Sequence, residues 1–125
     1  MIAVQDCGLV VNMLTARNQV NGGIIGEIGY SLFEHRLLDF DTGIMPNADL
    51  ENYKLPGALE MPEFDVSFYD EQERGVIGLG EPPAIPGVGA IANAIANATG
   101  VRVYELPITP DKVLMALENG KEGKL

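Results

Sequence analysis

The sequence predicts a two-layer α+β domain in which three helices pack on a mixed β-sheet. Three observations carry that expectation. Val20, Ile24, Ile28 and Leu32 recur every fourth residue, the spacing of one helical face. Phe64, Val66 and Phe68 alternate with Asp65, Ser67 and Tyr69, the period-two signature of a half-buried strand. Near the end, "TPDKVLMALENG" carries a helix cap in Thr109, a proline at the first helical position in Pro110, and a stop in Gly120.

The elements follow in order. "IAVQDCGLVVN" reads as an extended segment, a turn at residues 6–8, and a short extended continuation. Thr15 is placed to cap a helix over residues 15–35. That helix holds Gly22, Gly23, Gly26 and Gly29. Each mid-helix glycine costs about 1 kcal/mol relative to alanine, so tertiary contacts must offset the run, most simply through close approach of another backbone or a ligand. "RLLDFDTGIMPN" reads as a strand entering a turn, and residues 48–62 as an irregular stretch broken by Pro56, Gly57 and Pro62. Residues 70–86 form a long connection with an acidic start, in which Asp70, Glu71 and Glu73 read as a solvated loop. A second helix is expected over residues 88–98, closed by Gly100. "VRVYEL" reads as a strand, and residues 119–125 as a frayed tail.

A chain of 125 residues is read as one domain, residues 1–125, able to bury a core. Hydrophobic residues make up 46% and charged residues 21%, as in folded globular proteins. The 18 acids against 8 bases leave a formal charge of −10, which opposes binding to nucleic acid or to anionic membranes. No apolar run reaches the length of a spanning helix, and the N-terminus lacks the pattern of a secretion signal. Cys7 is the single cysteine, which rules out an intrachain disulfide or a four-cysteine iron–sulfur site and suits a reducing, cytoplasmic interior.

The chemistry centres on "GLGEPPAIPGVG", residues 78–89, where Glu81 stands between glycines and prolines. An acid held rigidly in apolar surroundings makes a general base that works near neutral pH. The competing reading is an exposed loop glutamate near the start of the following helix, favoured by its dipole. Gln19 and Asn21, beside the glycine cluster, offer side-chain amides to a ligand or, more simply, form a solvated first turn. His35 reads as a capping or surface residue and Cys7 as a small buried side chain rather than a metal ligand or nucleophile. "LLDFDTG" resembles the Asp-Thr-Gly element of the aspartic proteases, in which two lobes or a homodimer place two carboxylates side by side. That family is nearly all β, three helices are expected here, and Asp-Thr-Gly is also a common turn.

Three segments together point elsewhere: "VQDCGLVVN…NQVNGGIIGEIGYSLFE" at residues 4–34, "NYKLPGALEMPEFDV" at 52–66, and "GLGEPPAIPGVGAIANAIANATGVRVYELPITPDKVL" at 78–114. In this order they resemble the C-terminal portion of the molybdenum-binding subunit of the xanthine dehydrogenase and aldehyde oxidase family. The resemblance implies that Glu81 stands beside a molybdopterin-bound molybdenum as the general base in hydroxylation of aldehydes or nitrogen heterocycles. It implies that Gln19 lies against the cofactor, with Gly22, Gly23 and Gly80 letting backbone approach the pterin or the rest of the subunit. No metal ligand from the chain itself is implied.

Residues 76–77 are Val-Ile where many members carry Ala-Lys. A full subunit of the family is several times longer, and its earlier part supplies most pterin contacts, a second glutamine and the substrate pocket. The chain therefore reads as a fragment or split subunit, inactive alone, with the rest of the subunit and the iron–sulfur and flavin modules as partners. A folded scaffold that merely retains Glu81 is the second reading. Either way, an apolar face around the glycine-rich helix start and residues 75–87 is expected to be exposed and to favour homo-oligomers.

Overall fold

The computed structural model describes residues 1–69 and 72–122, so Asp70, Glu71 and residues 123–125 lie outside the described residues. Strand β1 (Ile2–Asp6), helix α1 (Met13–Ile28), strand β2 (Asp65–Tyr69), helix α2 (Gly87–Thr99) and helix α3 (Pro110–Glu122) make an α+β architecture. The chain divides into two compact units. One comprises Met1–Glu27 with Gly57–Gly87, the other Ile28–Pro56 with the chain from Val88 onward.

In the first unit β1 and β2 pair in parallel, in the register Ile2 to Asp65 through Asp6 to Tyr69. A parallel pair requires a crossover connection, and α1 lies within it. One face of the ladder turns Ala3, Val66, Gln5 and Phe68 inward, with Val66 buried. On the other face Ile2 and Val4 are 77% and 72% exposed. An antiparallel bridge between Gly8 and Val76 extends the pairing, with Leu9 N–H donating to the Gly75 carbonyl at 2.8 Å and Ile77 N–H to the Cys7 carbonyl at 3.1 Å. The start of the glycine-rich segment is thereby tied to the end of β1. Cys7 is buried as a small side chain.

Asn12, not Thr15, caps α1: its side-chain oxygen accepts the Thr15 N–H at 3.1 Å and its carbonyl the Ala16 N–H at 3.0 Å. Val20, Ile24 and Ile28 are buried, as their spacing predicts. The α-helix ends earlier than residue 35, passing at Gly29 into a five-residue π turn, Gly29–Phe33, closed by Glu34 N–H on the Gly29 carbonyl. The Glu34 side chain fills the space beside Gly29 where a Cβ would collide, and Tyr53 donates its hydroxyl to the same carboxylate at 2.9 Å.

Two expected strands are absent, and in both the backbone groups find local partners instead. Asn47, buried, accepts the Leu37 N–H at 3.1 Å and donates to the His35 carbonyl at 2.6 Å. Asp39 accepts from Asp41 N–H and the Thr42 hydroxyl, closing the Asp-Thr-Gly stretch into a turn with Gly43 at φ +71°. In the second case, residues 101–106, the Thr99 hydroxyl donates to the Val101 carbonyl and accepts the Val101 N–H, and Lys112 donates to the Leu106 carbonyl. Helix α2 closes at Gly100, φ +76°, whose N–H reaches the Ala96 carbonyl at 2.8 Å. Helix α3 starts at Pro110 as expected but continues past Gly120 to Glu122. No helix among the described residues is long and apolar enough to cross a membrane.

Candidate functional site

The glycine-rich segment and α1 meet within the first unit, and the contacts are specific. Gln19 donates its side-chain amide to the Gly80 carbonyl at 3.0 Å. One turn on, Gly23 faces Pro83, and a Cβ built there would lie 2.9 Å from the Pro83 carbonyl carbon and oxygen. The close approach of another backbone expected of the glycine cluster is made at Gly23 by the Pro83 segment. One further turn on, Glu27 accepts a hydrogen bond from the Gly87 N–H at the start of α2.

Glu81 lies between the first two of these contacts. It precedes the short 3₁₀ turn Pro82–Ala84, and its carbonyl accepts the Ala84 N–H at 2.9 Å. Its side chain is exposed, as are Gly78, Gly80 and Pro82 around it. Among the described residues none covers Glu81, so the desolvation expected for it is not provided by them. Contacts at Gly80 and Pro83 anchor the backbone on either side of Glu81, and its side chain is exposed.

The buried acid is Glu27, 1% exposed. Desolvation pushes its pKa above the ordinary glutamate value, and the Gly87 N–H opposes that shift in part. Its carboxylate occupies the place where a Cβ on Gly87 would stand, so a larger residue at position 87 would displace it. The sequence reading passed over Glu27, although it falls three residues after Ile24 and seven after Val20, on the buried stripe.

Gly22 and Gly80 have nothing within 4 Å of an added Cβ. With the exposed Gln19 amide they form a surface that a flat, hydrogen-bonding group can approach closely, and the donor chemistry fits a pterin. Asn21 Oδ1 is buried without a hydrogen-bond partner among the described residues. Beside Gln19 lies an open, mainly apolar groove of ≈ 390 Å³, whose lining includes Leu9, Val11, Thr15, Val76 and Leu79. Ile77 and Ile85 are 54% and 72% exposed, Val76 is exposed, and Leu79 is half-buried, so the apolar face around residues 75–87 is present. His35 lies beyond the π turn in the second unit, and no group of three or more potential ligands for a metal ion occurs among the described residues.

The sequence and fold of the chain have counterparts among molybdenum enzymes. Residues 1–62 match the molybdopterin cofactor-binding domain. The chain is 38% identical over 117 residues to the xanthine dehydrogenase molybdenum-binding subunit of Escherichia coli O157:H7, matching 90% of the chain and 16% of that subunit. The crystal structure of quinoline 2-oxidoreductase from Pseudomonas putida 86 superposes with a TM-score of 0.82 at 27% identity, covering 94% of this chain and 16% of that one. Aldehyde oxidoreductase from Desulfovibrio gigas superposes with a TM-score of 0.80 at 34% identity, covering 94% of this chain and 13% of that one. The chain is a homologue of part of the molybdenum-binding subunits of xanthine dehydrogenases and aldehyde oxidoreductases. It spans about a tenth to a sixth of the length of the curated relatives it matches.

Proposed function

We propose that this chain is the C-terminal part of a molybdenum hydroxylase subunit and that it contributes Glu81 as the general base in oxidation of aldehydes or nitrogen heterocycles. The observation that carries the proposal is the placement of Glu81: an exposed carboxylate on a loop anchored on both sides by α1, next to the Gln19 amide. A general base needs a fixed position and an open path to the proton it takes, and this loop supplies both. The low dielectric that would tune the carboxylate comes from whatever covers the exposed face around Ile77 and Ile85.

In this reading Gln19 and the open backbone at Gly22 and Gly80 face the molybdopterin, while Gly23 serves the loop. The cofactor supplies the two-electron oxidising centre. The residues of this chain orient the group through the Gln19 amide, permit close approach at the two glycines, and hold the proton on the Glu81 carboxylate. The partners are the remainder of the molybdenum-binding subunit together with iron–sulfur and flavin modules that carry electrons away. Because most cofactor contacts lie in that remainder, the chain alone neither retains molybdopterin nor turns over substrate.

Co-expression with the remainder of the subunit tests this. The proposal expects a stable complex that carries molybdenum, with the chain alone carrying none. A chain that neither docks on the remainder nor affects its molybdenum content would overturn it in favour of an independent scaffold.

A further inference from the structure

Gln19, Gly23 and Glu27 are spaced four residues apart, and so share one face of α1. Each meets the glycine-rich loop, and the contacts advance along it in step: Gly80, then Pro83, then Gly87. Their chemistry differs. Gln19 donates to a carbonyl, Gly23 yields space, and Glu27 accepts an N–H. The two polar contacts bracket residues 80–87, and the steric contact braces the middle.

From this we infer that α1 acts as a three-point clamp on the loop and that Glu27 is a positioning residue for the Glu81 carboxylate. The inference rests on the assignment of Glu81 as base. Gly87 opens α2, so its N–H is one of the four that a helix leaves without an intrahelical partner. Glu27 takes that N–H from inside the first unit and thereby fixes where the loop ends. An acid 1% exposed is costly to keep there, and an apolar residue would fill the space more easily. What an apolar residue cannot do is hold Gly87.

The test uses two variants and two readouts. Hydrogen exchange on the full chain follows the Gly87 amide in wild type, Glu27→Ala and Glu27→Gln. The clamp predicts that Glu27→Ala accelerates exchange at Gly87 by roughly 10-fold or more, whereas Glu27→Gln, whose amide oxygen still accepts the bond, preserves protection. In the complex with the remainder of the subunit, Glu27→Ala is expected to lower kcat by roughly 10- to 100-fold with KM little changed, the penalty of misplacing a reacting group by about 1 Å. Glu27→Gln restores most of that turnover. Unchanged Gly87 exchange in Glu27→Ala overturns the clamp. Loosened exchange with full kcat overturns the positioning role. If Glu81→Gln itself turns over at the wild-type rate, the assignment of the base fails, while hydrogen exchange still decides whether the clamp exists.

Discussion

Two adjacent glycines in α1 are expected to respond unequally to the same substitution. Gly22 is exposed, with nothing within 4 Å of an added Cβ. Gly22→Ala therefore gains helix propensity without new contacts, a stabilisation of about 1 kcal/mol. At Gly23 the same methyl meets the Pro83 carbonyl carbon and oxygen at 2.9 Å and its Cβ at 3.0 Å. These are mostly backbone atoms of a braced loop, so the helix or the loop must shift. Overpacking of this kind costs about 1–3 kcal/mol. Set against the same propensity gain, Gly23→Ala comes out about 0–2 kcal/mol destabilising. The two variants should thus differ by about 1–3 kcal/mol, or roughly 3–15 °C in melting temperature for a chain of this size. Urea unfolding of both proteins reads the difference directly. Amide chemical shifts at residues 81–85 add a second check, since they move in Gly23→Ala and stay put in Gly22→Ala. If Gly23→Ala were as stable as Gly22→Ala, the packing of α1 against the Glu81 loop would be refuted.

Other expectations follow from individual side chains. Asn47→Ala leaves the Leu37 N–H and His35 carbonyl without their partner and is expected to destabilise by about 1–3 kcal/mol in chemical denaturation; a neutral result would mean water replaces the side chain. Glu27, whose pKa is raised by desolvation, contributes stability that is fully present below its ordinary value of 4.5 and is lost as pH rises through its folded value. Relative to wild type, Glu27→Gln is therefore expected to gain melting temperature from acid to neutral pH, and parallel profiles would contradict that sign. The bare apolar face predicts self-association of the isolated chain, so Ile77→Lys with Ile85→Lys should shift sedimentation toward monomer; a wild type that is already monomeric removes the argument.

The α+β class was legible because its signals are local. The Val20, Ile24 and Ile28 stripe, the alternation around Val66 and the Pro110 helix start each survive in the structure. The strands read at residues 36–41 and 101–106 failed for one reason: pattern reports what a segment could bury, not whether a neighbour exists to pair with it. Asn47, Asp39 and Lys112 supply side-chain partners to those backbones, and such long-range or turn contacts leave no periodic trace. The site was half legible. Glycines and prolines around Glu81 announced a fixed loop, and Gln19 proved to touch it. Apolar composition near Glu81 suggested burial, but Ile77, Pro82 and Ile85 lie exposed beside it, and the buried acid is Glu27. Composition along the chain does not say which way a loop faces.

The most direct test of Glu81 as general base is turnover by the complex of this chain with the remainder of its subunit, with bound molybdenum measured in the same preparation, comparing wild type with Glu81→Gln. Glutamine keeps the shape of the side chain and the anchors at Gly80, Pro83 and Gly87 but cannot accept a proton. The account predicts equal molybdenum content and a fall in aldehyde or heterocycle oxidation of about 10²–10⁴-fold. Equal rates at equal molybdenum content would contradict it.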